Sequence, residues 1–343
     1  MRLIRLGLAT AALAVLASVA YVGQVAGTAG PAMVTAAQKF LDSLAPEQRA
    51  KAQMPYDSPE RLKWAFVPLQ DPERKPTRKG IRTEEMTAPQ REAALALLKA
   101  GTSPGGYDKA VTIMSLESIL NELEQGKGPV RNPEWYFFTV FGTPSKAGKW
   151  GWRVEGHHLS VNYTLEDGQV TAATPTFFGA NPATVMAGLR QGTRAIPDCD
   201  DLARELFRSL DDSQRQLAEQ KKPFPEIDNH EAAKVGAPVG VLASKLNAKQ
   251  RETLEKLIHA YTSRLPEDVA RVESDRLTQA GIDKVYFAYA GGLEQGEEHS
   301  YRLQGPTFVA EFLNVQADSA RNRANHIHSA WRHLPKDFGL ASE

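Results

Sequence analysis

The stretch Asn-His-Ile-His-Ser-Ala-Trp-Arg-His at residues 325–333 places three of the chain's eight histidines within eight positions. With Ile327 and Trp331 among its residues it reads as a strand, and a strand's period of two sends His326 and His328 to one face and Ile327 to the other. Two neutral imidazoles on one face of a rigid strand can share a cation without rearrangement. Nitrogen donors suit zinc, copper, iron or nickel better than calcium or magnesium. A lone His-x-His is a weak motif, so its meaning depends on what the fold brings to it.

Composition narrows the partners. Lys plus Arg number 41 and Asp plus Glu number 41, and no basic run stands out, so there is no electrostatic basis for binding nucleic acid or an anionic membrane surface. Arg2 and Arg5 precede an unbroken apolar run at residues 6–22, followed by small residues through Gly30. This reads as a secretory signal cleaved after Gly27 or Ala29, or as an uncleaved N-terminal anchor, and in either case the body of the protein is expected outside the cytoplasm, periplasmic or extracellular. Cys199 is the single cysteine, so no intramolecular disulfide is possible. Its neighbours Asp198, Asp200 and Asp201 disfavour a thiolate, and it is read as inert.

The elements that must position the histidines recur along the chain. Gln-Arg stands in the same nine-residue setting around Gln48, Gln90, Gln214 and Gln250, each copy starting like a capped helix with Asp, Asn, Thr or an early Pro. Aromatic strands recur too: Trp135-Tyr136-Phe137 is answered by Val285-Tyr286-Phe287, and Trp152-Arg153-Val154-Glu155-Gly156 by Tyr301-Arg302-Leu303-Gln304-Gly305. The order predicts an α+β protein of two pseudo-repeats, each with helices packed on an antiparallel sheet, after an N-terminal signal segment. The expected boundaries are residues 1–29 for the signal, 30–198 for the first half and 199–343 for the second half, which carries the His-x-His strand. Within this frame, the second half begins with the segment 202–217, and a short helix is expected to start at residues 183–188. The first hairpin is expected to turn near Glu155-Gly156.

Setting the halves side by side brings distant polar residues toward a pseudo-twofold axis. The expected metal site draws on His157 or His158, His299, His326 and His328, with Glu298 or Glu311 as a carboxylate ligand or general base. Three or four imidazoles with an open position would let one zinc or copper ion polarise an oxygen substrate or lower the pKa of its own water. Other motifs fail on context. Gly101-Thr102-Ser103-Pro104-Gly105 lacks the strand that a nucleophile elbow requires before its serine. His230-Glu231 has Lys234 where a zincin helix needs its second histidine, and neither a phosphate-binding loop nor a dinucleotide fingerprint is present.

The segments at residues 150–160 (Trp-Gly-Trp-Arg-Val-Glu-Gly-His-His-Leu-Ser), 177–182 (Phe-Phe-Gly-Ala-Asn-Pro), 304–308 (Gln-Gly-Pro-Thr-Phe) and 325–329 (Asn-His-Ile-His-Ser) resemble the domain of unknown function 3500 family. The resemblance spans roughly Leu41 to Gly339 and implies no activity. At Ser300, after His299, the resemblance leads one to expect an aromatic residue. The functional expectation therefore rests on the histidines: an exported metalloenzyme, either a zinc hydrolase or a copper oxidoreductase, acting on an unknown small-molecule or polymer substrate. The alternatives are a non-catalytic metal carrier and a binding module whose histidines only pack. An open coordination position in a cleft favours the enzyme.

Overall fold

Each Gln-Arg copy does start a helix, and the glutamine explains the repetition. In the computed structural model, which describes residues 27–341, Gln48, Gln90, Gln214 and Gln250 accept from the backbone N–H of Ala45, Thr87, Asp211 and Asn247 at 2.9–3.0 Å. Each bond satisfies a donor that a helix start leaves free. The amides then pair, Gln48 with Gln90 and Gln214 with Gln250, at 2.8–3.1 Å. One side chain thus caps its own helix and fastens it to a second.

The protein is a mixed α and β structure with eight α-helices among the described residues: α1 (Ala29–Ser43), α2 (Pro46–Ala52), α3 (Ala88–Ala100), α4 (Pro104–Glu124), α5 (Pro197–Ser209), α6 (Asp212–Ala218), α7 (Ala248–Thr262) and α8 (Glu267–Ala280). Twelve strands accompany them: β1 (Gln53–Met54), β2 (Ile81–Arg82), β3 (Phe137–Phe141), β4 (Lys149–Gly156), β5 (Leu159–Glu166), β6 (Gln169–Ala172), β7 (Thr176–Ala180), β8 (Val241–Leu242), β9 (Tyr286–Gly291), β10 (His299–Gln304), β11 (Phe308–Gln316) and β12 (His326–His333). All twelve join one sheet in the order β1-β3-β4-β5-β7-β12-β11-β10-β9-β8, with β2 also on β3 and β6 on β5. The expectation of an antiparallel sheet in each half is corrected on two counts. β1 runs parallel to β3, and β7 pairs with β12 from Ala180 opposite Ile327 to Thr176 opposite Trp331. Pairing there satisfies two strand edges that would otherwise be open.

Local chemistry accounts for the other differences. Residues 202–217 fall into α5 and α6 because Asp211 caps a new helix start, its carboxylate accepting from Gln214 N–H at 2.9 Å. Residues 183–188 are not helical: Asn325 takes both the N–H and the C=O of Thr184, and Thr184 bridges to Arg194. The first hairpin turns at His157-His158, since Gly156 pairs with Leu159.

The sheet's two faces are covered differently. Helices pack on one, where Tyr261 of α7 meets Tyr301 of β10 with hydroxyls 2.7 Å apart. The other lies under two irregular segments, residues 55–80 and 219–240, held down by arginines of the sheet. Arg153 donates to the carbonyls of Glu60 and Lys63, and Arg302 donates to Val235. A small second core of Trp64, Phe66, Phe177, Ile227, Leu313, Ala330 and Phe338 lies beneath them. No helix among the described residues is long and apolar enough to cross a membrane. The apolar run at residues 6–22 lies outside the described residues.

Candidate metal centre

His158 occupies the β4–β5 turn with φ at +62°, a region that non-glycine residues enter only when their surroundings hold them there. Two backbone bonds do so. Its N–H donates to Phe66 O at 2.9 Å, and its carbonyl accepts from Gly179 N–H at 2.8 Å. Gly179, opposite His328 on the neighbouring strand, makes room for the ring: a Cβ there would stand 2.7 Å from Ile327 O and 3.1 Å from His158 Cδ2. Gly179→Ala is therefore expected to displace His158 and to destabilise the fold by about 1–3 kcal/mol. A lower urea midpoint in Gly179→Ala would show this.

β12 supplies the other two rings. His158 Nε2 lies 2.9 Å from His326 Nε2 and 3.2 Å from His328 Nε2, and the three residues form a group whose ligating atoms all lie within 4.8 Å. Nitrogens about 2.0 Å from a tetrahedral zinc stand about 3.3 Å apart, so the two edges from His158 need to open by only a few tenths of an ångström, while the edge between His326 and His328 lies within 4.8 Å. His158 and His328 are buried, while His326 is partly open to solvent. Glu226 Oε1 accepts from His328 Nδ1 at 2.9 Å, a carboxylate behind the ring that orients it and would raise its basicity toward a metal. Phe66 stacks on Phe177 at 4.1 Å, and its edge meets His328, closing that side to water.

Burial sets the protonation states. It pushes His158 well below the ordinary imidazole range, helped by His157, His326 and His328, and it takes His326 down to about 3, helped by His328, His157 and Arg131. Both are neutral donors at neutral pH, as a metal ligand must be. Because both folded-state values lie below the unfolded value of about 6.5, the unfolded chain binds more protons below that pH. The metal-free protein is expected to lose up to about 1.4 kcal/mol per pH unit for each such imidazole as pH falls from about 6.5 toward 3. Urea unfolding at about pH 7 and pH 5 measures it, and equal midpoints would contradict it.

The remaining expected residues are placed elsewhere. His157 stacks on His158 with ring centroids 3.7 Å apart, yet its Nδ1 is held by Glu117 at 2.5 Å, with Arg131 beside it. It therefore flanks the cluster without joining it. His299 is on the opposite face of the sheet. The register His299↔Asn314, Leu313↔His328 puts it with Phe312 and Tyr301 under the helices, and its Nε2 meets Asp200 Oδ1 at 2.9 Å. Glu311 shares the face of His328 but binds Arg302 Nη2 at 2.8 Å, and Glu298 is exposed beside Arg323. Neither carboxylate belongs to the histidine group. The residues that do support the group, Glu226 and Asn181, come from places with little pattern. Glu226 lies in an irregular segment, and Asn181, near His326, was visible only as part of the word Phe-Phe-Gly-Ala-Asn-Pro.

No curated protein and no solved structure matches the chain. Residues 26–340 match Protein of unknown function (DUF3500), a family without an assigned activity, and the chain belongs to that family.

Proposed function

We propose that the protein is an exported metalloenzyme that holds one zinc ion on the Nε2 atoms of His158, His326 and His328 and uses it to activate water for hydrolysis. The observation that carries this reading is the convergence of three buried or half-buried imidazole nitrogens from a turn and a strand. Among the described residues the group gains no fourth His, Cys, Asp or Glu. Three protein ligands with one position left over is the pattern of catalytic zinc, whose bound water has a pKa of about 7. Glu226 holds the far nitrogen of His328, so it orients the ligand and is not placed to take a proton from the water. Zinc held by the three histidines would supply the nucleophile by lowering the pKa of a water in the open position.

The same nitrogens also suit copper, which would move the reaction to oxidation by dioxygen or peroxide. Export is supported by the apolar run behind Arg2 and Arg5. We also read the halves, residues 30–198 and 199–343, as copies of one α+β unit. Supporting this are the paired glutamines and a matching bond, since Leu334 N–H donates to Thr307 O at 2.9 Å as Gly179 N–H does to His158 O at 2.8 Å. Thr307 stands where His158 does, which leaves one centre per chain.

Elemental analysis of the untagged protein, beside a His326→Ala/His328→Ala double variant, tests the reading. About one equivalent of zinc, lost in the variant, supports it, and one equivalent of copper redirects the chemistry. No metal, and no uptake of either ion, removes the centre. Bound metal without any hydrolytic or oxidative turnover would favour a carrier.

A further inference from the structure

An imidazole can ligate through Nε2 only if its proton sits on Nδ1. For His328 the choice is made, because the Glu226 carboxylate only accepts and so keeps the proton on Nδ1. His326 differs. Its Nδ1 faces Asn181 Nδ2 at 3.4 Å, and an amide nitrogen only donates, so this contact is a hydrogen bond only in the tautomer whose Nδ1 accepts and whose proton lies on Nε2. In that tautomer the proton points at His158 Nε2, 2.9 Å away, and separates two lone pairs that would otherwise face each other. Meanwhile Asn181 Oδ1 is buried without a partner, although buried acceptors are nearly always satisfied.

We propose, resting on the metal centre above, that Asn181 is a tautomer switch for His326. Its Nδ2 donates to Nδ1 while the cluster is metal-free, and a half-turn of the amide lets Oδ1 accept from Nδ1–H once the ion takes Nε2. A carboxylate would serve only the second state, whereas an amide serves both in place. In the exchange one proton leaves Nε2 for solvent and another arrives on Nδ1, so the ring stays neutral and this ligand releases no net proton.

Nitrogen NMR of the isotope-labelled histidine rings, with His326 assigned by loss of its signals in His326→Gln, reads the switch directly. The wild-type ring is expected to be Nε2-protonated without zinc and Nδ1-protonated with one equivalent. Asn181→Asp, which can only accept, should show the Nδ1–H form before zinc is added and bind zinc about tenfold more tightly, while Asn181→Leu should bind about tenfold more weakly. An Nδ1–H ring in the metal-free wild type, or an Asp variant that binds no tighter than wild type, overturns the switch and leaves the metal centre standing. A wild-type chain that takes up no zinc overturns the centre and the switch together. If the Leu variant does not fold, the Asp variant and the wild-type spectra still decide.

Discussion

Zinc supplied at one hundred times its dissociation constant is expected to stabilise the metal-free chain by about 2.7 kcal/mol, and the gain should vanish in a His158→Ala/His326→Ala/His328→Ala variant. The ion would tie the β4–β5 turn to β12, two places joined by few other side-chain bonds, so only the folded chain presents the ligands together. Removing His158 alone should weaken binding by about 3 kcal/mol, taking a third of the roughly 10 kcal/mol that a three-nitrogen site can supply. That is on the order of a hundredfold in Kd. Thermal unfolding with a chelator and then with zinc measures both effects. An equal shift in the triple variant would show that zinc acts somewhere else.

Arg332→Met is expected to be among the most destabilising single changes in the chain, at about 3–5 kcal/mol. Arg332 Nε binds Asp337 Oδ2 at 2.7 Å, and neither residue is exposed at all. The same guanidinium donates to the carbonyls of Asp228 and His230, and Asp337 Oδ1 accepts from His333 N–H at 2.9 Å. Burial pushes the Asp337 carboxyl up and the guanidinium opposes it, so losing Arg332 strands an anion in the interior. Arg332→Met/Asp337→Leu removes both charges and should recover most of the loss. The double variant would still release residues 228–230, close to Glu226, and should bind zinc about tenfold more weakly than wild type. Urea unfolding and zinc titration of the single and double variants separate the two contributions. A double variant as unstable as the single one would contradict a charge-based cause.

The sequence alone made legible whatever depends on near neighbours. The Gln-Arg helix starts could be read because a capping glutamine acts within three residues. The shared face of His326 and His328 could be read because a strand's side chains alternate regardless of what lies beside it. The same rule could not choose between His157 and His158, since turn residues do not alternate; the positive φ of His158, held by Phe66 and Gly179, decided that. Nor could it place His299, because the face a strand presents to its neighbours is set by register, and β10 reaches β12 only through β11. A shift of one residue in either pairing would have put His299 on the other side of the sheet. Glu226 was out of reach for a related reason: the segment at residues 219–240 has no period, and its place over His328 comes from the bonds that Arg302 and Arg332 make to its backbone. What the chain determines locally is which nitrogens could ligate. Which of them meet is decided by strand register and by the long-range pairing of β7 with β12, neither of which leaves a local mark.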